Sequence, residues 1–147
     1  MMITFTVPGA PQGKARPRVT RAGHAYTPEK TKAYETVVRQ CYLQNVGMRH
    51  FPDGTAICAH IYASYPVPKG TSKKDRQAML DGKILPTKKP DADNIAKIIL
   101  DALNGYAYKD DSCVVRLTVS KHYGEEADVL VMLWDVDADG KPYTGED

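Results

Sequence analysis

Apolar and polar residues alternate from Ile3 to Val7 with the period of a strand, and Pro8, Gly9 and Pro11 end it. The spacing then becomes helical: Tyr34, Val37, Val38, Cys41 and Tyr42 fall at i, i+3, i+4, i+7 and i+8. This predicts an amphipathic helix from Pro28 to about Asn45, with the Thr27 hydroxyl as N-cap and Pro28 as its first residue. Gly47 and Pro52 close the unit. A strand is expected from about Thr55 to Tyr65, with Ile57, Ala59, Ile61 and Ala63 on one face and His60 on the other. Ser72 suits the cap of a short helix through about Leu80. From Ala92 to Asn104 the period is helical again, with Ile95, Ile98, Ile99, Ala102 and Leu103 on one side and Asp93, Lys97, Asp101 and Asn104 within one arc of the other. Asp91 is placed to cap that helix and Gly105 to end it. Cys113 to Tyr123 and Ala127 to Trp134 read as two strands, joined at Gly124, Glu125 and Glu126 as a hairpin. The expected fold class is α+β: a mixed sheet of about four strands covered by helices, in a single compact domain over residues 1–134 with an acidic tail at 135–147.

Length agrees with one domain, since 147 residues suffice for one core and not for two. No apolar run approaches the ~20 residues that cross a bilayer, and the opening MMITFTVPGAPQGK lacks the basic start of a signal peptide, so no membrane partner and a cytoplasmic location are expected. Three widely spaced cysteines, Cys41, Cys58 and Cys113, form neither a disulfide framework nor a zinc motif. The net charge of +2 conceals an asymmetry, because the last 24 residues hold eight acids against Lys141 and leave +9 on the other 123. So basic a body attracts a polyanion such as nucleic acid.

The basic residues cluster in two segments. The loop QGKARPRVTRAGHAY carries Lys14, Arg16 and Arg18, and no acid precedes Glu29; Pro17 keeps its neighbours extended. The stretch from Pro66 to Lys89 carries Lys73, Lys74, Arg76, Lys88 and Lys89 among seven cations, against only Asp75 and Asp81. Either segment could be a solvated surface or a grip on phosphates.

Between Lys88 and Val114 the chain reads KKPDADNIAKIILDALNGYAYKDDSCV, with acidic pairs Asp91/Asp93 and Asp110/Asp111 on either side of Lys97. Magnesium takes hard oxygen ligands, usually one or two carboxylates completed by water and substrate phosphate. Aspartates meeting from a helix start and a strand start could hold one ion, or a pair about 3.5 to 4 Å apart, with Lys97 near a phosphate oxygen. The same residues also admit a plain reading: a cap, an i,i+4 ion pair and a turn.

The run resembles the signature of the RusA family of Holliday junction resolvases, with its KPDxDNxxKxxxDALNG core and closing DDSxV. VPGAPQGKARPR, the YTP before the first long helix, and SKKDRQAMLDGK are similar to that family too, so the likeness spans about Ile3 to Tyr123. The resemblance implies a small homodimeric endonuclease, often phage- or prophage-encoded, that uses Mg2+, with Mn2+ able to substitute, to cut paired strands of branched four-way DNA. It makes Asp91, Asp93 and Asp111 the metal-binding aspartates, with Asp110 adjacent as a further candidate, and Lys97 the catalytic lysine. Cys113 departs from the polar residue, such as glutamine, more usual in the family. Binding without catalysis, and cleavage of other branched DNA, are the rival functions. The apolar surplus of the helix around Ile95 to Leu103 makes it a candidate to be shared between core and dimer partner. Finally, Asp135 to Glu146 matches the calcium-loop pattern D-x-D-x-D-G-x5-E. A strand-like run precedes it, and Pro142 holds an unsuitable position, so a solvated acidic tail is expected, with a weak cation site as the alternative.

Overall fold

The computed structural model describes residues 1–136. Its frame is a mixed four-stranded sheet made of β1 (Met2–Pro8), β4 (Ile57–Pro66), β5 (Val114–Gly124) and β6 (Asp128–Asp135), in the order β1-β6-β4-β5. A two-stranded ribbon, β2 (Arg18–Val19) with β3 (Ala25–Tyr26), and three helices, α1 (Glu29–Asn45), α2 (Lys73–Leu80) and α3 (Ala92–Ala102), complete it. The architecture is the α+β class expected.

The strand periods translate into burial. Ile3, Phe5 and Val7 of β1, Ile57, Ala59, Ile61 and Ala63 of β4, and Val129, Val131 and Leu133 of β6 are buried on one face of the sheet. There they join Val38, Cys41 and Tyr42 of α1 and Ile95, Ile98 and Ile99 of α3 in one core. The whole apolar side of α3 is spent within the chain, Leu103 included, which leaves none of it for a partner; the expectation of a shared face is corrected. Tyr34 of α1 is half-buried and Val37 lies open at 36% exposure, so that apolar stripe is narrower than its spacing implied. On the opposite sheet face, as its phase predicted, His60 meets Trp134 edge-on, ring centres 4.6 Å apart.

Four local expectations need correction. The β5–β6 hairpin does not form: β5 pairs parallel with β4, and β6 runs antiparallel between β4 and β1. Alternation fixes that a segment is a strand but not its neighbour, and β6, with Val129, Val131 and Leu133 fully buried, belongs in the middle. β5 exposes Val115 and Leu117 and takes the edge. The link at 125–127 steps over one strand, about 10 Å at ~4.8 Å per strand, which three residues can span. It is held there by Ser64 Oγ donating to the Glu126 carbonyl at 3.1 Å and by Gly9 N donating to the Ala127 carbonyl at 3.0 Å.

At α1 the cap is Pro28, not Thr27, and no side chain bonds the first amides; the Pro28 carbonyl accepts from Lys32 N at 3.1 Å instead. At α3 Asp91 holds the cap position with extended backbone, φ −67° and ψ 149°, yet its carboxylate accepts no capping bond. Ser72 does cap α2, its Oγ accepting from Asp75 N at 3.2 Å. The loop from Gln12 was expected to lack regular structure, but it folds back on itself at Thr20–His24, where His24 N donates to Thr20 Oγ1 at 3.1 Å.

Candidate nuclease site

Helix α3 sets the site. Its buried side anchors it on the sheet, while Asp91, Asp93 and Lys97 are exposed and Asp101 and Asn104 half-buried along the other side. Because the Asp91 carboxylate is released from capping, its oxygens are available to a ligand at the helix start, where the dipole favours anions.

The return of the chain is fixed by hydrogen bonds. After Leu103 the backbone turns through Gly105, at φ 81°, where a side chain would be strained, and Gly105 N donates to the Tyr108 carbonyl at 2.8 Å. The buried Tyr108 hydroxyl donates to the Leu100 carbonyl at 2.7 Å and locks this loop under the helix. Asn104 Oδ1 accepts from the backbone amide of Asp111 at 2.8 Å, which ties the second acidic pair to the end of α3. The helical arc had singled out Asn104; the structure gives it this job.

The two aspartates of that pair then part in role. Asp110 Oδ2 accepts from Ser112 N at 3.2 Å and caps the single 3-10 turn Asp111–Cys113; that bonding to Ser112 holds its carboxyl below the usual range. Asp111 turns toward α3. Burial, then the charges of Asp101 and Asp110, push its carboxyl up, with Lys97 opposing. Cys113 is half-buried at the core margin, and burial raises its thiol.

The structure therefore brings Asp111, Asp101 and Lys97 together, and leaves Asp91 and Asp93 at the helix start. Among the described residues no three Asp, Glu, His or Cys side chains close into a ready cation cage. A hard divalent ion that keeps its waters can lean on one or two carboxylates without such a cage, and the two carboxylates that stand open at the helix start are Asp91 and Asp93.

Of the expected basic residues, Arg16, Arg18, Lys73, Lys74, Arg76, Lys88 and Lys89 are exposed. Lys14 differs: its ammonium lies 2.7 Å from Glu35 Oε1 and 3.4 Å from Asp101 Oδ2. Burial pulls its pKa down, but Glu35 and Asp101 outweigh that and leave it raised. Two residues not picked from the sequence join the site. Tyr65, at the end of β4, donates from its hydroxyl to the Pro90 carbonyl at 3.2 Å, and Lys88 and Lys121 stand 5.8 and 5.5 Å from its ring centre. The Asp91 charge, after burial, helps raise the Tyr65 phenol. The signal for Lys121 was present, since it falls in phase with Val119 and Tyr123 on β5, a cation on an otherwise apolar strand face.

The tail pattern from Asp135 to Glu146 lies outside the described residues apart from its first two positions; Asp135 ends β6 and its Oδ1 accepts from the Met1 amino group at 2.7 Å.

A relative, the uncharacterized protein YqaN of Bacillus subtilis (strain 168), is 39% identical over 144 residues, covering 92% of this chain and 98% of that protein. Residues 8–133, which hold every element from the end of β1 through α3 to β6, match the family model of endodeoxyribonuclease RusA. The chain belongs to the RusA endodeoxyribonuclease family.

Proposed function

We propose that the protein is a magnesium-dependent endonuclease that resolves four-way DNA junctions in recombination and repair, acting as a homodimer. The observation that carries this reading is the uncapped, solvent-facing start of α3, where Asp91 and Asp93 precede Lys97 by one to two turns, together with the tie of Asp111 to Asn104 at the far end of the same helix. Asp91, Asp93 and Asp111 would hold the ion, with Asp110 kept at the turn by Ser112. When bound, Mg2+, or Mn2+ in its place, supplies charge neutralisation and a more acidic water. The reaction is hydrolysis: a water oxygen bonds to phosphorus, the bond from phosphorus to the leaving sugar oxygen breaks, and that oxygen ends protonated.

The chain's own part is positioning and charge. Lys97, 63% exposed and only 3.9 Å from Asp101, is free to turn to the scissile phosphate and offset the charge that builds on its oxygens. Lys88 and Lys121 beside Tyr65 offer a second cationic spot next to Asp91. Arg16 and Arg18 on one side, and Lys73, Lys74, Arg76 and Lys89 on the other, hold the flanking backbone. A two-fold dimer would present two such sites to the opposed strands of a junction.

The test is Asp93→Asn. It should bind a labelled four-way junction as the native protein does and fail to nick it with Mg2+ or Mn2+ present; robust nicking by this variant sinks the assignment. Linear duplex and flap substrates run beside the junction separate resolution from cleavage of other branched DNA.

A further inference from the structure

The Lys14 side chain is the one expected DNA contact that the fold turns inward. It is 17% exposed, against 63% for Lys97, and its neighbours are a buried acid from α1 and a half-buried acid from α3. Along this line the charges alternate through three elements: Arg39 of α1 lies 4.0 Å from Glu35 Oε2, Glu35 meets Lys14, Lys14 meets Asp101 Oδ2, and that same oxygen faces Lys97. The row begins in the core-side helix and ends at the exposed lysine of the acidic site.

The backbone around Lys14 is fixed as firmly. Lys14 N donates to the Asn94 carbonyl at 2.9 Å, in the first turn of α3, and Ala15 N to Thr31 Oγ1 of α1 at 3.4 Å. Gly13 passes so close to α3 that a Cβ there would stand 2.9 Å from Pro90 Cβ and 3.1 Å from Asn94 Cβ. The segment is a strap laid across the start of the helix, and the β2–β3 ribbon with Arg18 follows directly from it.

We propose that Lys14 and Glu35 are positioning residues: they hold Asp101 in place, leave Lys97 free for the phosphate, and dock the basic ribbon beside the acidic site, while Lys14 itself holds no DNA. The inference rests on the nuclease reading for its consequence and on the free protein for its geometry. With Lys14 present the Asp101 carboxylate is already engaged, so Lys97 is tethered weakly, at 3.9 Å. Without Lys14 that carboxylate has Lys97 as its remaining cation among the described residues, and the i,i+4 pair tightens, drawing Lys97 down onto the helix. A phosphate contact would behave otherwise, since its loss weakens binding through counterion release and leaves the arrangement of Lys97 alone.

Three variants decide it: Lys14→Met, Lys14→Arg and Glu35→Gln, measured for junction affinity across a salt series and for nicking at saturating enzyme. Lys14→Met should nick about 10- to 100-fold more slowly, as misplacement of a site group does, with affinity within about threefold and an unchanged salt slope. Glu35→Gln should slow nicking in the same way although it is largely buried, and Lys14→Arg should restore most of the rate. A salt slope smaller by about one with the saturated rate intact would make Lys14 a phosphate contact and overturn the proposal. Thermal melts of Lys14→Met, Glu35→Gln and the double variant test the brace without any DNA: a double variant no less stable than the worse single is expected, and strictly additive losses refute it. A native protein that nicks no branched DNA would count against the nuclease reading, and the melts would then decide the brace alone.

Discussion

Replacing Asn104 by alanine probes how the second half of the acidic site is held. Its Oδ1 accepts from the Asp111 amide at 2.8 Å, half-buried, between the end of α3 and the start of β5. Alanine removes the acceptor and leaves that amide to find water, at a cost of about 1 kcal/mol, in the range of a single neutral hydrogen bond. For a domain of this size that predicts a fall in Tm of about 2–4 °C per kcal/mol. The catalytic effect should be larger than the thermal one. Asp111 is carried by a single turn whose other tether is the Asp110 cap, so the loss of Asn104 lets the carboxylate drift from Lys97, and a shift of about 1 Å costs on the order of 100-fold in rate. The assay is single-turnover nicking of a labelled four-way junction, with affinity measured separately. Asn104→Asp is the control: it keeps an acceptor for the amide, so the turn should hold, but adds a third carboxylate beside Asp101 and Asp111. Native nicking rates for Asn104→Ala, with the small loss in Tm observed, would show that the tether does not position Asp111.

Two further outcomes follow from the same geometry. Asp111→Asn should raise the Tm of the metal-free protein near neutral pH while abolishing nicking: the Asp111 carboxyl is raised by burial and by Asp101 and Asp110, so its protonated form is the one the fold favours, and the stability it contributes below the ordinary carboxylate value of 3.8 is lost as pH rises through its elevated pKa. The gain over native should therefore shrink toward zero on acidification, and a gain that persists at low pH refutes it. Gly13→Ala should cost about 1–3 kcal/mol, the usual toll of overpacking, because the new Cβ would stand 2.9 Å from Pro90 Cβ; an unchanged melting curve would show that the strap is free to lift.

Much of this arrangement was legible in the residues. The phase of α3 placed Asp93, Lys97, Asp101 and Asn104 on one face and its isoleucines in the core, since a 3.6-residue period admits one solution once the apolar side is known. What could not be read was pairing over distance. Lys14, Arg16 and Arg18 look alike in a basic loop, and only the position of Glu35 and Asp101 in space sets the first apart. Likewise Asn104 was visible on the arc, but its partner, the Asp111 amide, is a backbone group seven positions away that no side-chain pattern marks. The order of β5 and β6 failed for the same reason, since a short link suits a hairpin and a step over one strand equally.

The placement of β6 also governs when the nuclease can exist. β1 has β6 as its neighbour, with Met2 opposite Trp134, so β1 waits for a partner that is made much later. Pairings of such long sequence separation form slowly, after the loops between them have closed. Helix α3 and the Asp111 turn are both made earlier, yet the sheet they rest on lacks its middle until residues 128–135 appear. A chain released before that point carries the acidic motif but has no completed floor beneath it, and the proposed site would be supported only once β6 had been made.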